Sequence, residues 1–395
     1  MSDVLPMTSG SAPLPFWARL SDNVFNRRNA LLRSTKFQRW AGAFPLTRRI
    51  SMHQAGAVFD IVAGFVYSQI LLACVQLKVL DLLANGPLTQ RQLMDRTGLN
   101  EGAAFTLLEG ACALKLLERR SPVAGEPRFG LGWRGAPLVG NKPVLSMIEH
   151  HATLYADMRD PVALLKRRSF DTAMAKYWPY TDVANDEDSR LTRQVAAYSE
   201  LMAASHPFVA NEIFGAFSFS DVKSVLDVGG GEGEFVARLA KQAPHLRLTT
   251  FDLPGVAARA RARFAADGIG DRASAVGGSF FDDALPTGFE IVTLNRVLHD
   301  HDDEHALRLL RAVRAATLRT ATSSGGRLLL TEPMADTPGA EAMGHAYFGM
   351  YLWAMGRGRS RSAQTITAML KSVGFTHIKE LKTSIPLQAR MLIAS

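Results

Sequence analysis

Val225-Leu226-Asp227-Val228-Gly229-Gly230-Gly231-Glu232-Gly233-Glu234-Phe235 decides how the rest of the chain is read. An apolar strand runs into glycines, and the glycines open onto a helix. Glycines let the backbone approach a ligand closely at the carboxyl end of a first parallel strand. Outward from this turn the pattern alternates. Strand-like runs at 222–228, 247–252, 289–295 and 327–332 are separated by helical stretches near 233–243, 255–267 and 303–318. Alternating βα units predict an α/β fold, a doubly wound parallel sheet with right-handed crossovers. A helix over 363–373, Gly374, and β-like runs at 376–382 and 389–394 predict a closing antiparallel hairpin.

The turn departs from the dinucleotide fingerprint G-x-G-x-x-G. Counting from Gly229, Gly231 matches, but the third place is Glu234, where a small residue should let helix and strand meet. Glu232 and Glu234 would repel a pyrophosphate, whereas a cationic sulfonium tolerates them. Asp227 stands where a carboxylate can hold an ammonium group, directly or through water. Asp252 ends the second strand, 21 residues after Gly231. An acid there can accept hydrogen bonds from both ribose hydroxyls. A strand-end helix cap is the plain alternative for Asp252. The turn and the acid together point to a nucleoside ligand, and to S-adenosylmethionine rather than NAD.

Upstream, residues 65–118 read as several helices. Gly86-Pro87 breaks the chain, Thr89 caps a helix over 90–96, and Gly98 turns into a second helix near 103–117. Two short strands around Pro127-Arg128-Phe129 complete a winged-helix pattern. The second helix carries no basic stripe over 103–110, so it reads as a packing element, not a reader of nucleic acid. Residues 144–215 read as mixed helix with Met147, Met158, Met174 and Met202, and an acidic loop at 185–188.

The 395 residues suffice for two or three domains, and 47% hydrophobic with 21% charged residues excludes a mostly disordered chain. The net charge of +8 is unevenly placed: residues 1–50 hold eight basic groups and two acids. The near-neutral body excludes a surface built to coat nucleic acid. Residues 14–50 interleave Arg and Lys with Phe25, Leu31, Leu32, Phe37, Trp40 and Phe44. An interfacial amphipathic helix on a membrane and a solvated helix on its own protein both fit. The apolar run 55–77 is long enough to span a bilayer, but Asp60, Gln69 and Gln76 would be costly there, so a buried helix pair at a subunit interface is expected. Two cysteines, Cys74 and Cys112, make no disulfide framework and fit a reducing compartment. Residues 1–11 lack an apolar leader core, so a cytoplasmic location is expected.

Four motifs occur in order: 227–234, Phe-Asp-Leu-Pro at 251–254, Arg-Val-Leu-His-Asp-His-Asp-Asp at 296–303, and Gly-Gly-Arg-Leu-Leu-Leu-Thr-Glu at 325–332. With them the chain resembles the S-adenosylmethionine-dependent O-methyltransferases of plant caffeate/flavonoid type and their bacterial relatives, over about residues 65–395. The resemblance implies a Rossmann-like class I methyltransferase domain over 216–395. An α-helical winged-helix dimerisation domain over 51–145 precedes it, with helical linker and substrate-pocket helices over 146–215 and a basic amphipathic arm over 1–50. It implies a homodimer that uses S-adenosylmethionine and no metal. His299 falls on the family's general base, and Glu332 on the acid that orients it. Asp227, Gly229, Gly230 and Gly231 form the cofactor turn, while Asp252 and Leu253 fall on the ribose and adenine contacts. Ser279 and Phe280 fall on the adenine edge, and Asn295 where plant members place a cofactor-contacting lysine. A second family glutamate is missing: Ser360-Arg361-Ser362 stands in its place, so His299 is expected to lean on Glu332 alone. Met343, Tyr347, Met350 and Met355, with Phe348 and Trp353, fall on a segment that lines the substrate pocket. An ordinary core helix is the plain alternative there.

Within the family, the basic aromatic arm, Phe44-Pro45-Leu46-Thr47 and Phe65-Val66-Tyr67-Ser68-Gln69 are similar to the bacterial carotenoid members of hydroxyneurosporene/demethylspheroidene type. That likeness implies an apolar substrate, an acyclic carotenoid methylated at its C1 hydroxyl. It also implies peripheral contact through residues 14–50 with the cytoplasmic face of an inner, photosynthetic membrane. Two rivals remain: the same chemistry on a phenol or polyketide, and a winged-helix regulator with a ligand-sensing domain. The run His299, Asp300, His301, Asp302, Asp303 and His305 resembles a metal site only superficially. A strand–loop–helix points these side chains apart, and the acids open a helix whose dipole favours them. His301 and His305 are expected at the surface, and His150-His151 either beside the substrate cavity or as a packed or exposed pair.

Overall fold

The computed structural model describes residues 15–167, 171–177, 207–319 and 325–395. The expected acidic loop at 185–188 and Met202 lie outside them. The chain divides into two units, Met1–Trp133 and Arg134–Ser395.

Three helices lead the first unit. α1 (Phe16–Arg33) stops at Ser34, whose hydroxyl accepts the Phe37 N–H and so caps α2 (Thr35–Ala43). α3 (Pro45–Gln76) begins on Pro45, whose locked φ suits a first helical position. The buried helix pair expected over 55–77 is instead one continuous 32-residue helix. No residue pair there breaks it, because Gly56 and Gly64 cost propensity without ending a helix. Only its far end is buried, at Leu72, Cys74 and Val75.

α4 (Val79–Leu82), β1 (Leu88–Thr89), α5 (Gln90–Thr97), α6 (Glu101–Ala113), β2 (Leu117–Val123) and β3 (Glu126–Leu131) follow. Thr89 and Gln92 cap each other reciprocally at the start of α5. α6 ends four residues before the expected Leu117. Lys115 takes a left-handed φ of 64°, and a side chain at Gly132 would stand 2.4 Å from its carbonyl oxygen. The backbone thus turns early to begin β2. The three strands order β1-β3-β2, antiparallel, giving the helix–turn–helix and hairpin read from the sequence.

In the second unit, α7 (Lys142–Met158), α8 (Pro161–Lys166), α9 (Ala173–Tyr177) and a helix α10, described over 207–216, precede the sheet. The sheet comprises β4 (Ser224–Val228), β5 (Arg247–Asp252), β6 (Ala273–Gly277), β7 (Ile291–Asn295), β8 (Arg327–Glu332), β9 (Ile378–Leu381) and β10 (Arg390–Ala394). Their order is β6-β5-β4-β7-β8-β10-β9. The first five run parallel, and β10 lies antiparallel between β8 and β9. β6 has no counterpart among the expected strands. Its small residues, three of five exposed, carry little apolar signal and become a strand by pairing with β5.

α11 (Glu234–Gln242) and α12 (Pro254–Ala266) cover one sheet face, while α13 (Asp303–Leu318) and α15 (Ala363–Ser372) cover the other. Side chains alternate accordingly along β4: Val225 enters one core, and Leu226 and Val228 enter the other. Burial on both faces is what makes such strands read as continuous apolar runs. Strand order reverses at β4, so the ligand crevice of this topology opens at the carboxyl ends of β4, β5 and β7.

Candidate active site

The glycine turn leaves β4 as the sequence indicates. Side chains at Gly229 and Gly230 would collide with Val297 and with the Asp227 carboxylate, so these residues serve close approach within the turn. Gly231 is different: its φ is +58°, and a Cβ there would meet nothing within 4 Å. It presents bare backbone to open space. The small residue that lets helix meet neighbour is Gly233, not the 234 position. Its φ is +76°, and a Cβ there would lie 2.4 Å from the Phe264 ring of α12. The fingerprint count obscured this because the turn is one residue shorter. Gly233→Ala should lower folding stability by roughly 2–4 kcal/mol, from left-handed strain plus overpacking, read as a lower denaturant midpoint at unchanged slope.

Asp252 ties β5 to this turn. One carboxylate oxygen accepts the Gly231 N–H at 2.8 Å, and the other accepts the Leu253 N–H at 2.7 Å. Burial pushes the carboxyl up, and the two backbone donors oppose it. Each oxygen retains a lone pair for a ribose hydroxyl, beside the open face of Gly231. Asp252 makes no side-chain cap of α12, so the plain cap reading is not what the structure shows, and its carboxylate stays placed to accept from a ligand. Asp252→Asn should weaken cofactor binding roughly 10- to 100-fold by calorimetric titration, the loss of charge-assisted hydrogen bonds. A cap alone would lower stability and leave that affinity unchanged.

Asp227 lies beneath the turn, 1% exposed. Its Oδ1 accepts the Thr293 hydroxyl at 2.6 Å and the Asn295 amide at 3.0 Å. Burial pushes its carboxyl up to about 7. Asp227 Oδ2 and Asn295 Oδ1 are buried without a hydrogen-bond partner. Ser279 holds its loop by donating its N–H to Asp283 and its hydroxyl to Asp282. Phe280 sets an edge against Phe281 and His301. These features fit S-adenosylmethionine: an open glycine backbone, an acid with two free lone pairs, orphaned polar atoms under the turn and an aromatic edge. The charge argument against a pyrophosphate loses force, however. Glu232 is paired with Arg259, and Glu234 with Arg238 and Arg263.

The candidate base, His299, sits one strand away. β7 ends at Asn295, Arg296 turns through a left-handed φ of 59°, and a short 3₁₀ turn carries His299. Glu332, at the end of β8, is 2% exposed. Its Oε1 accepts the N–H groups of Val297 at 3.1 Å and Leu298 at 2.7 Å, and its Oε2 contacts His299 Nδ1. One carboxylate thus fixes both the loop and the ring. A proton held on Nδ1 leaves the Nε2 lone pair available.

Glu332 is the carboxylate that hydrogen-bonds His299, and a second charge stands near the ring. Asp300 Oδ1 lies 3.2 Å from His299 Nε2 but makes no hydrogen bond to it. Burial would lower the imidazole, but Asp300 and Glu332 outweigh it and hold the ring above its ordinary value. Burial pushes the Asp300 carboxyl up to about 6. Asp300 was legible as the acid next to His299, but its carboxylate direction was not. Where the second family glutamate is missing, Arg361 is 3% exposed and donates to the carbonyls of Leu298 and His301. It also pairs with Asp303. The 359–362 segment clamps the base loop by its backbone.

His301, expected at the surface, is half-buried: its ring is wedged against Phe280 and Phe281, and burial pushes it down to about 4. His305 is half-buried, bonded to Asp302, which caps α13. The three imidazoles are thus committed to different partners.

The substrate-wall segment begins as a π-helical turn, Met343–Phe348, and continues as α14 (Gly349–Met355). Gly344 permits the turn to press on Ala335, 2.5 Å from a Cβ built there. Tyr347, Met350 and Met355 join one apolar cluster with Leu154 and Met158 of α7. Met343 stands half-buried on the π-turn, apart from that cluster. Trp353 leaves the expected wall: it is exposed and donates its indole N–H to Leu164. His150 and His151 form a packed pair on this wall: His150 meets the Tyr351 hydroxyl at 3.1 Å, and His151 meets that of Tyr347 at 2.8 Å. Burial pushes His150 down to about 4. Gly358 lies between His299 and Leu352, which places the wall beside the base.

Family models match two stretches of the chain. Residues 155–376 match an O-methyltransferase domain, and residues 59–135 an O-methyltransferase dimerisation domain. A demethylspheroidene O-methyltransferase of Cereibacter sphaeroides is 40% identical over 347 residues, 88% of each chain. That of Rhodobacter capsulatus is 39% identical over 343 residues, covering 87% of this chain and 82% of the relative. The crystal structure of human N-acetylserotonin methyltransferase superposes with a TM-score of 0.67 at 22% identity, over 86% of this chain and 97% of that one. The chain belongs to the O-methyltransferase family, with a class I methyltransferase fold behind a dimerisation domain. It is an S-adenosylmethionine-dependent O-methyltransferase, and its dimerisation domain suggests a homodimer.

Proposed function

We propose that this enzyme methylates the C1 hydroxyl of an acyclic carotenoid, giving a methyl ether. The observation that carries the reading is a buried His299–Glu332 pair beside an apolar, methionine- and tyrosine-lined wall. The identity of about 40% to two relatives named for demethylspheroidene supports it. The donor supplies an electrophilic methyl group on a sulfonium. Gly231 and Asp252 would hold its nucleoside end, above Asp227 and Asn295. An aliphatic hydroxyl is too weak an acid to ionise beforehand, so His299 Nε2 would take its proton as oxygen bonds to the methyl carbon and the carbon–sulfur bond breaks, the electron pair leaving on the sulfur of S-adenosylhomocysteine. Glu332 keeps the ring in the required tautomer, and Asp300 faces the nitrogen that becomes positive. Alignment of oxygen, carbon and sulfur supplies much of the rate. Methionine and tyrosine side chains form an adaptable apolar wall for a long polyene.

The test is methyl transfer from labelled S-adenosylmethionine to 1-hydroxy carotenoids in micelles, beside simple phenols. Labelled carotenoid supports the reading. Labelling of phenols alone overturns it in favour of an aromatic substrate. We place the enzyme on the cytoplasmic face of the inner membrane that dissolves such a substrate.

A further inference from the structure

We propose that α1, α2 and the first half of α3 form a docking surface for a bilayer rich in anionic phospholipid. The proposal deepens the carotenoid reading and rests on it for its purpose. Its physical grounds lie in the first unit alone. From Phe16 to Val66, eighteen large apolar side chains stand exposed, against ten in the rest of the described chain. So dense a run exceeds the scattered apolar residues of an ordinary surface. Trp17 is 75% exposed, Leu46 80% and Ile50 60%.

The same stretch is strongly basic. Arg19, Arg27, Arg28, Arg33, Lys36, Arg39, Arg48 and Arg49 are all exposed, against Asp22 and Asp60 between Phe16 and Val66. Among the described residues no ion pair reaches any of these eight cations. Apolar anchors among unneutralised cations complement a negative headgroup layer over hydrocarbon.

The α2–α3 joint is the centre of the surface. An open cleft of about 500 Å³ is lined by Ala43, Pro45, Arg48, Arg49 and Met52. Trp40 stacks on Phe44 beside it, ring centroids 5.3 Å apart. Tryptophan side chains favour headgroup depth. The first turn of α3 has no acid and no side-chain cap. Cations at a helix N-terminus oppose its dipole, and an anion between them removes the conflict.

The occupant is a lipid surface and not a second copy of this chain, because the matched dimerisation module begins only at residue 59. Most of the anchors and all eight cations precede it. By length and composition α3 could cross a membrane. Its far end is instead tied into the folded unit, where Ile70 meets Gly110 of α6 and Leu72, Cys74 and Val75 are buried. The helix therefore lies along the interface.

The full-length enzyme is floated with phosphatidylcholine vesicles, with and without phosphatidylglycerol. Binding should require phosphatidylglycerol and weaken as salt rises. Arg48→Glu with Arg49→Glu should weaken it roughly tenfold or more, and Trp17→Ser should weaken it at every salt concentration. The charge-reversed enzyme should keep the wild-type rate on carotenoid in detergent micelles and lose rate on carotenoid embedded in vesicles. Flotation unchanged by charge reversal, or no flotation together with concentration-dependent assembly beyond the wild-type dimer, overturns the proposal. A wild-type enzyme that floats but methylates no carotenoid in micelles overturns the substrate reading and leaves the docking surface standing.

Discussion

His299→Ala should lower kcat by about 10²- to 10⁴-fold, the range for removing a positioned general base. That corresponds to about 3–5 kcal/mol of transition-state stabilisation. Cofactor affinity should hold, because the residues proposed to hold the nucleoside, Gly231 and Asp252, stand at the β4 and β5 ends. The pH profile tests the same residue. The base acts only when neutral, so kcat falls as pH drops through the folded-state pKa of His299. That value is raised above 6.5, so the acid limb should lie above pH 6.5. Stability carries the opposite sign. A raised imidazole pKa stabilises the folded protein fully below 6.5, and the gain is lost as pH rises through the folded value. A kcat profile flat across that window, or an alanine variant within a factor of a few of wild type, would remove His299 from the mechanism.

Glu332→Gln should cost almost as much activity, roughly 10²- to 10⁴-fold, by a different route. The carbonyl of the new amide can still accept from Val297 and Leu298. Its NH₂ then faces Nδ1 and donates to it. The ring proton moves to Nε2, and the lone pair is turned away from the substrate hydroxyl. The acid limb of the profile should also shift down, because one of the two charges raising the imidazole is gone. Glu332→Ala should add a loss of about 3–5 kcal/mol in stability, the penalty for breaking a buried pair. Calorimetric melts of the two variants separate these effects: the glutamine variant should melt close to wild type, and the alanine variant well below it.

Much of this site was legible in residue order. The glycine turn, the acid 21 residues on, and a histidine and a glutamate ending adjacent parallel strands follow from strand-ending motifs. In a doubly wound sheet, strand ends converge on one edge. The role of Gly233 escaped because its partner, the Phe264 ring, comes from the next helix. Asp300 escaped because adjacency does not tell direction; the 3₁₀ turn aims its carboxylate at Nε2. His150 and His151 escaped a firm assignment because their partners lie about two hundred residues away on the π-turn and α14.

What the sequence by itself determined is the set of local periods and the chemistry at strand ends. Continuous apolar runs marked the central strands, capping residues set α5 and α13, and the motifs named the cofactor turn and the base. Those signals are local, because a strand buried on both faces and a capped helix declare themselves within ten residues. Tertiary structure alone decided which charges act. Glu232 and Glu234 read as repulsive but are neutralised by arginines from their own and the next helix. The missing glutamate read as a base braced by Glu332 alone, yet the loop is also clamped by buried Arg361 and the charge of Asp300 lies beside the ring. Charge balance and burial depend on neighbours that only the fold brings within a few ångströms, and electrostatic energy falls with that distance and with solvent access.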